Sequence, residues 1–329
     1  MMEILPPSDL LPFEVLFDRS ELNRALPPGL VRFVGNIGFP EPPAIGLERP
    51  WVYSNFVQSL DGLVSFGGRR HSGGWIAGGM LAGGMRAGGM PAGSRHDRWM
   101  MDFLRAHADA VLCGAQSLRL EALAGPIGRG PVYRIVHPEL VRYRSECLGK
   151  KKLILIVATG SGELRVSDYR LFESAEVEAW IATTPQGCER LGDAGRTRVL
   201  VVSNASGERK RLDFSELLRR LRSEEGIGHL LTEGGPTLYG HLARGGWVDE
   251  KFITVAPQEI GAGIPAEQER TEWETKSGTT TRPTSFAGAG FTVESARWYR
   301  WISCRRAGDH ELNRYRITDN RTSTRVPQK

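Results

Sequence analysis

Leu230-Leu231-Thr232-Glu233-Gly234-Gly235-Pro236-Thr237-Leu238 places an apolar run, a carboxylate, two glycines and a helix-starting proline in consecutive order. The order reads as strand, tight turn and helix. In an α/β sheet such a turn lies at the carboxyl end of a strand, where ligands bind. Paired glycines there let backbone N–H groups approach a phosphate at the positive end of the following helix. Glu233 would then stand beside the ligand. An ordinary βα turn with no ligand fits the same local pattern, so the rest of the chain has to choose.

Working outward, further buried runs alternate with helical patterns. Trp51–Gln58 is bulky and β-prone and is closed by Ser59-Leu60-Asp61-Gly62; Asp61 is either a turn residue or a carboxylate at a strand end facing a cleft. A helix is expected from about Arg95 to His107, with Trp99, Phe103 and Leu104 inward. Strands follow at 109–114, 152–159, 177–183 and 197–202. An amphipathic helix over 213–223 is capped by Asp213 or Ser215, and the helix 236–244 leads to a strand at 250–256. This spacing predicts an α/β fold with a mostly parallel central sheet and helices on both faces. The alternation in 290–305 and 311–317 adds antiparallel C-terminal edge strands.

Three stretches stand apart from that pattern. Residues 1–47 are proline-rich and read as an arm over the body, with a short helical patch near 20–26. Residues 76–93 repeat Ala-Gly-Gly-Met and read as a flexible insert, because each glycine in a helix interior costs about 1 kcal/mol relative to alanine. Residues 318–329 form a polar tail.

Composition narrows the function. The chain has 329 residues, 40% of them hydrophobic, and a net charge of +5 with no long basic run, which suits an anionic small ligand and gives no footprint for nucleic acid. The cysteines at 113, 147, 188 and 304 form no CxxC pair, so neither zinc nor a disulfide framework is indicated, and a reducing, cytoplasmic setting is expected. No apolar run is long enough to span a membrane. GxGxxG, GxxxxGK[ST], GxSxG and HExxH are all absent. What remains is a set of strand-end turns rich in glycine and hydroxyls, suited to an anionic cofactor that itself carries the reacting atom.

Val57-Gln58-Ser59-Leu60-Asp61-Gly62, Leu104-Arg105-Ala106-His107-Ala108-Asp109-Ala110-Val111-Leu112-Cys113-Gly114-Ala115, Glu233-Gly234-Gly235-Pro236-Thr237-Leu238, Gly246-Trp247-Val248-Asp249-Glu250 and Val255-Ala256-Pro257 occur in this order. Together they resemble the RibD C-terminal family, the reductase domain of the riboflavin-biosynthesis deaminase-reductase, whose fold is similar to dihydrofolate reductase. The resemblance covers residues 48–317. It implies reduction of the ribosyl group of a phosphorylated aminopyrimidine, such as 5-amino-6-(5-phosphoribosylamino)uracil, by NADPH, and a homodimer.

Carried over motif by motif, the resemblance makes Glu233 a substrate-binding glutamate. Gly234, Gly235, Pro236, Thr237, Leu238 and Tyr239 become the turn that holds the cofactor diphosphate. Gln58, Ser117, Glu121 and Thr159 become cofactor contacts, Arg105 a substrate contact, and Ser72 and Trp75 a segment near substrate and nicotinamide. Asp61 or Glu233 is expected to help supply a proton. Departures are visible as well: Glu121-Ala122-Leu123 stands where the family carries Asp-Asp-Pro, Ser72 and Trp75 are one residue further apart, and the repeat directly follows Trp75-Ile76. The HxE and PCxxC signature of the family's deaminase domain does not occur in these residues. Two other readings are a pterin reductase on the same fold and a catalytically idle NADPH-binding module.

Overall fold

The computed structural model describes residues 4–21, 25–40, 48–68, 73–78, 92–124, 128–204, 211–265, 270, 272–285 and 290–318. The expected glycine-methionine insert therefore falls largely outside the described residues, as does the tail after Thr318.

In chain order, β1 (Glu14–Asp18) and α1 (Pro28–Val34) precede β2 (Trp51–Gln58), the short α2 (Gly73–Ile76) and the long α3 (Ala92–His107). Then come β3 (Ala110–Gly114), α4 (Ala115–Ala124), α5 (Pro138–Arg142), β4 (Leu153–Thr159), β5 (Val177–Thr183), α6 (Pro185–Leu191) and β6 (Arg198–Val201). The chain continues through α7 (Phe214–Ser223), β7 (His229–Thr232), α8 (Pro236–Arg244), β8 (Glu250–Val255), α9 (Glu272–Ser277), β9 (Tyr299–Ala307) and β10 (His310–Ile317).

The strands form one sheet in the order β1-β9-β10-β8-β2-β7-β3-β4-β5-β6. From β8 to β6 every pairing is parallel, and β10, β9 and β1 extend the sheet antiparallel. Winding runs outward from β2 through β3, β4, β5 and β6; β7 then returns into the gap between β2 and β3. The residue that follows β7, Glu233, thus emerges at the sheet's centre, at the switch in winding where α/β folds form crevices.

Both faces are covered. Trp99, Phe103 and Leu104 of α3 pack with Tyr53, Val111 and Leu231 on one face. Leu217, Leu218 and Leu221 of α7 and Leu242 of α8 pack with Val52, Leu112 and Leu230 on the other. Leu230 and Leu231 point oppositely because strand side chains alternate, so a strand buried on both sides reads as a continuous apolar run. Asp213 caps α7 by accepting from the N–H groups of Ser215 (2.9 Å) and Glu216 (3.1 Å).

The N-terminal residues do more than drape the body. Ile4, Phe13, Leu30 and Phe33 are buried in the same cluster as Trp99, and β1 pairs with β9. Among the described residues no helix occupies 20–26; Asp18 instead ties back the N–H of Ser20 at 2.7 Å. The helix begins at Pro28, whose fixed φ suits a first helical turn, and Leu30, Phe33 and Val34 bury one face of it. The C-terminal strand expected from residue 290 starts only at Tyr299, and α3 starts earlier than expected, at Ala92.

Candidate active site

The turn between β7 and α8 admits glycine alone at two successive positions. A Cβ on Gly234 would lie 2.4 Å from the Cα of Cys113, so the turn could not sit against the end of β3. Gly235 has φ +66°, and a Cβ there would stand 2.4 Å from the Ser117 hydroxyl. Pro236 then starts α8, whose first-turn N–H groups have no partners within the helix and carry its positive end.

Two cavities meet over this turn, sharing Ser117, Gly235 and Pro236. The first, of about 490 Å³, lies between α3 and the carboxyl ends of β2 and β7. The helix contributes Ser94, Asp97, Arg98 and Arg105, polar residues at helical spacing, with Met101 between them. Arg105 donates through Nε (2.7 Å) and Nη2 (2.6 Å) to both carboxylate oxygens of Glu233. Its Nη1 reaches Asp102 (3.3 Å) and the carbonyl of Arg134 (2.9 Å). Burial works against the charge of Arg105, and the adjacent Glu233 more than offsets that, holding the guanidinium above its usual range.

Two further carboxyl groups face this cavity. Glu121 accepts from the Tyr133 hydroxyl at 3.0 Å, and desolvation pushes it up to about 7 against the pull of that bond. Asp97 is hydrogen-bonded to Thr254 and is pushed up to about 6, again by desolvation. Exposed Arg98, Arg134 and Arg170 line the same cavity.

The second cavity, of about 640 Å³, runs over the ends of β3, β4 and β7. Gly114, Gly160 and the Gly234–Leu238 turn line it, together with Thr279, Thr281, Thr284, Arg211 and Arg282. Arg282 spends Nε and Nη1 on the carbonyls of Phe66, Ile260 and Gly261, so the donors that suit a dinucleotide diphosphate are the backbone N–H groups of the glycine turn and the start of α8. The side-chain-free cradle at Gly234 and Gly235 is the close approach that such a group requires.

The structure brings Arg105 and Glu233 together, and it lines the second cavity with Gly234, Gly235, Pro236, Thr237 and Leu238. Ser117 reaches both cavities. Glu121, expected at the cofactor, lines the first cavity instead, because its side chain turns toward Tyr133. Tyr239, expected at the diphosphate turn, points into the core one helical turn after Pro236, with its ring 5.0 Å from Phe56.

Gln58, Trp75, Thr159 and Asp61 line neither cavity. Gln58 ends β2, where its carbonyl accepts from Ala256, and Trp75 lies in α2, where its carbonyl accepts from Gln258. The Thr159 hydroxyl closes its own turn by accepting from Gly162 at 3.2 Å. Exposed Asp61 accepts from Gly261 at 2.8 Å, and the Ser59 hydroxyl, helped by the N–H groups of Gly261 and Ile260, holds its carboxyl below the usual range. Ser72 lies outside the described residues. Sequence reasoning missed Asp97 and Tyr133. The first was legible as the residue two turns before Arg105 on the same face of α3; the second has no local signal.

Among the described residues, no cluster of His, Cys, Asp and Glu could hold a metal ion, and no helix is long and apolar enough to cross a membrane. A doubly wound sheet with a polar cavity and a glycine-walled cleft joined at its switch point defines an α/β protein with two adjoining clefts at the centre of its sheet. The chain belongs to the RibD C-terminal domain family, which matches residues 50–284. The riboflavin biosynthesis protein RibD of Aquifex aeolicus is 25% identical over 224 residues, 66% of this chain and 49% of that protein. The chain thus spans about half the length of this relative.

Among solved structures, the deaminase/5-amino-6-(5-phosphoribosylamino)uracil reductase of Thermotoga maritima superposes with a TM-score of 0.52 at 15% identity, covering 82% of this chain and 57% of that one. The riboflavin biosynthesis reductase Rib7 of Saccharomyces cerevisiae superposes at 0.50 and 15% identity, covering 84% and 93%. At these identities the likeness is one of fold.

Proposed function

We propose that this chain is an NADPH-dependent reductase of a small heterocyclic substrate of the 5-amino-6-(5-phosphoribosylamino)uracil type. The observation that carries the reading is the junction of the two cavities at Ser117, Gly235 and Pro236, which would bring a nicotinamide from the second cavity against a substrate in the first. NADPH supplies the hydride when bound. The chain's own part is to bind and orient. Gly234–Leu238 and the start of α8 take the diphosphate, while the Glu233–Arg105 pair fixes the polar edge of the substrate. The guanidiniums of Arg98, Arg134 and Arg170 suit an anionic substituent such as a phosphate. Asp61 is assigned to its loop, not to proton transfer, since it is exposed and spends its oxygens on residues 260–261.

Family membership, together with the half-exposed Trp301 lying against Phe17 and Tyr315 on one sheet face, supports a homodimer. The cysteines at 113, 147, 188 and 304 are free, which supports a reducing, cytoplasmic setting. Titration with NADPH, followed by nicotinamide fluorescence and by the rise in melting temperature, tests the cofactor. The phosphoribosylaminopyrimidine and dihydrofolate, offered in parallel, test the substrate by loss of reduced-nicotinamide absorbance. Absence of NADPH binding at millimolar concentration would overturn the proposal, turnover of dihydrofolate alone would make the chain a pterin reductase, and binding without turnover of either would leave an idle module.

A further inference from the structure

Among the described residues Tyr133 is the one non-glycine residue with positive φ, at 57°. A left-handed conformation is strained for such a residue and persists only where its surroundings impose it. Here they do. Arg105 holds the carbonyl of Arg134 at 2.9 Å, and the buried Asp102 carboxylate takes the N–H groups of Val136 (2.7 Å) and His137 (3.3 Å). The backbone after Tyr133 is thereby docked on α3. The result is a buried ring with the Arg105 guanidinium carbon 5.8 Å from its centroid and a hydroxyl on Oε1 of Glu121, all at the wall of the first cavity.

We propose that Tyr133 is a positioning residue: its hydroxyl fixes the Glu121 carboxyl at the cavity wall, and that carboxyl delivers the proton of the reduction. The inference rests on the reductase reading above. Reducing a C=N or C=O bond adds hydride, with its electron pair, to carbon and a proton to the heteroatom. The hydride is NADPH's, and the proton leaves the Glu121 carboxyl as its O–H bond breaks and an N–H or O–H bond forms. The resulting carboxylate regains a proton from water.

The other carboxylates are worse placed. Both oxygens of Glu233 are bound by Arg105, and Asp61 lies outside the cavity. Glu121 is faced by Tyr133, Glu233, Arg105, Arg98 and Cys113. Burial and the Glu233 charge favour its protonated form, so at a midpoint of about 7 it holds a proton at neutral pH in a large fraction of molecules. Asp97, at about 6, is the competing donor and belongs in the test.

Tyr133→Phe keeps the ring and removes the hydroxyl that favours the carboxylate, so the Glu121 midpoint should rise by about half a unit to one unit. The infrared carboxyl band of the protein without cofactor, with Glu121→Gln as the subtraction reference, reads that midpoint directly. In turnover, the high-pH limb should move upward with it while NADPH affinity stays within about twofold. Glu121→Gln should lose about 100-fold in turnover, and adding Tyr133→Phe to it should cost little more, as expected for groups acting as one unit.

A midpoint and limb unmoved in Tyr133→Phe would overturn the proposal, as would a limb that follows Asp97→Asn instead. If Tyr133→Phe fails to fold, Glu121→Asp, which withdraws the carboxyl from the hydroxyl by one methylene, carries the same infrared test. A wild-type protein that binds no NADPH refutes the reductase reading, and the infrared titration still decides the positioning role.

Discussion

Arg105 uses its planar fork against Glu233 and its remaining nitrogen against Asp102 and the carbonyl of Arg134, so one guanidinium fixes the Glu233 carboxylate and the loop bearing Tyr133. Lysine, a point charge with no fork, cannot replace it. Glu233→Gln keeps an acceptor but loses the charge that neutralises Arg105. NADPH affinity should stay within about twofold, because the proposed cofactor site is Gly234–Leu238, while turnover falls by about 100-fold through misplaced substrate. Paired affinity and rate measurements check this, and loss of NADPH binding would refute the division of labour. Lys251 is a second residue with a readable sign. It is buried beside the Tyr239 ring and donates to Ser285 at 3.0 Å, and desolvation lowers its amine to about 7. The unfolded chain therefore binds a proton that the folded one does not between pH 10.5 and about 7, and stability rises with pH across that window. Lys251→Met should stabilise the protein at pH 7 by on the order of 3 kcal/mol, and the gain should vanish near pH 10.5; denaturant melts at the two pH values test it.

At the level of elements, the C-terminus of α3 is closed by a residue remote in sequence. Arg144, on the π-helical turn Tyr143–Cys147, donates to the carbonyls of Arg105 (3.2 Å), Ala106 (3.0 Å) and Ala108, and its Nε to Lys151 (2.8 Å). Removing it leaves buried carbonyls without a donor, each worth about 1–3 kcal/mol. Arg144→Ala should therefore destabilise the fold by about 3 kcal/mol in chemical denaturation, and because α3 carries Arg105 and Asp97 it should also weaken substrate turnover. Such long-range closures explain what the sequence left unread. The periodic apolar runs of β3, β4, β7, α7 and α8 and the glycine turn before α8 were legible, since local spacing and backbone sterics determine them. Glu233 and Arg105 were singled out separately, but nothing local joined residues 128 positions apart. Tyr133, whose conformation is imposed by Asp102 and Arg105, and Glu121, turned toward Tyr133 at the wall of the first cavity, needed the folded geometry. Thr159 and Gln58 line neither cavity; the Thr159 hydroxyl closes its own turn and the Gln58 carbonyl accepts from Ala256, backbone uses that a motif does not distinguish from ligand binding.

Across the whole molecule, the antiparallel extension gives the sheet two unlike faces. One packs under α1 and α3, where Arg314 is buried against Glu250 at 2.7 Å and Arg305 against the carbonyl of Val34 at 2.6 Å. The other carries an aromatic row: Phe17 meets Trp301 edge-on at 4.6 Å, and Trp301 stacks with Tyr315 at 6.2 Å. Trp301 remains 44% exposed. An exposed aromatic row on a sheet face is the composition of an interface centre. An isologous contact between two such faces would stack the sheets of two copies and leave both cavities open at the far strand ends. Trp301→Glu places a charge at that centre without touching the core of either cluster. Sedimentation at micromolar concentration should therefore give a dimer for the natural chain and a monomer for the variant, with far-ultraviolet circular dichroism and NADPH affinity unchanged. A natural chain that sediments as a monomer would rule out the dimer, and a variant that stays dimeric would move the interface to another face.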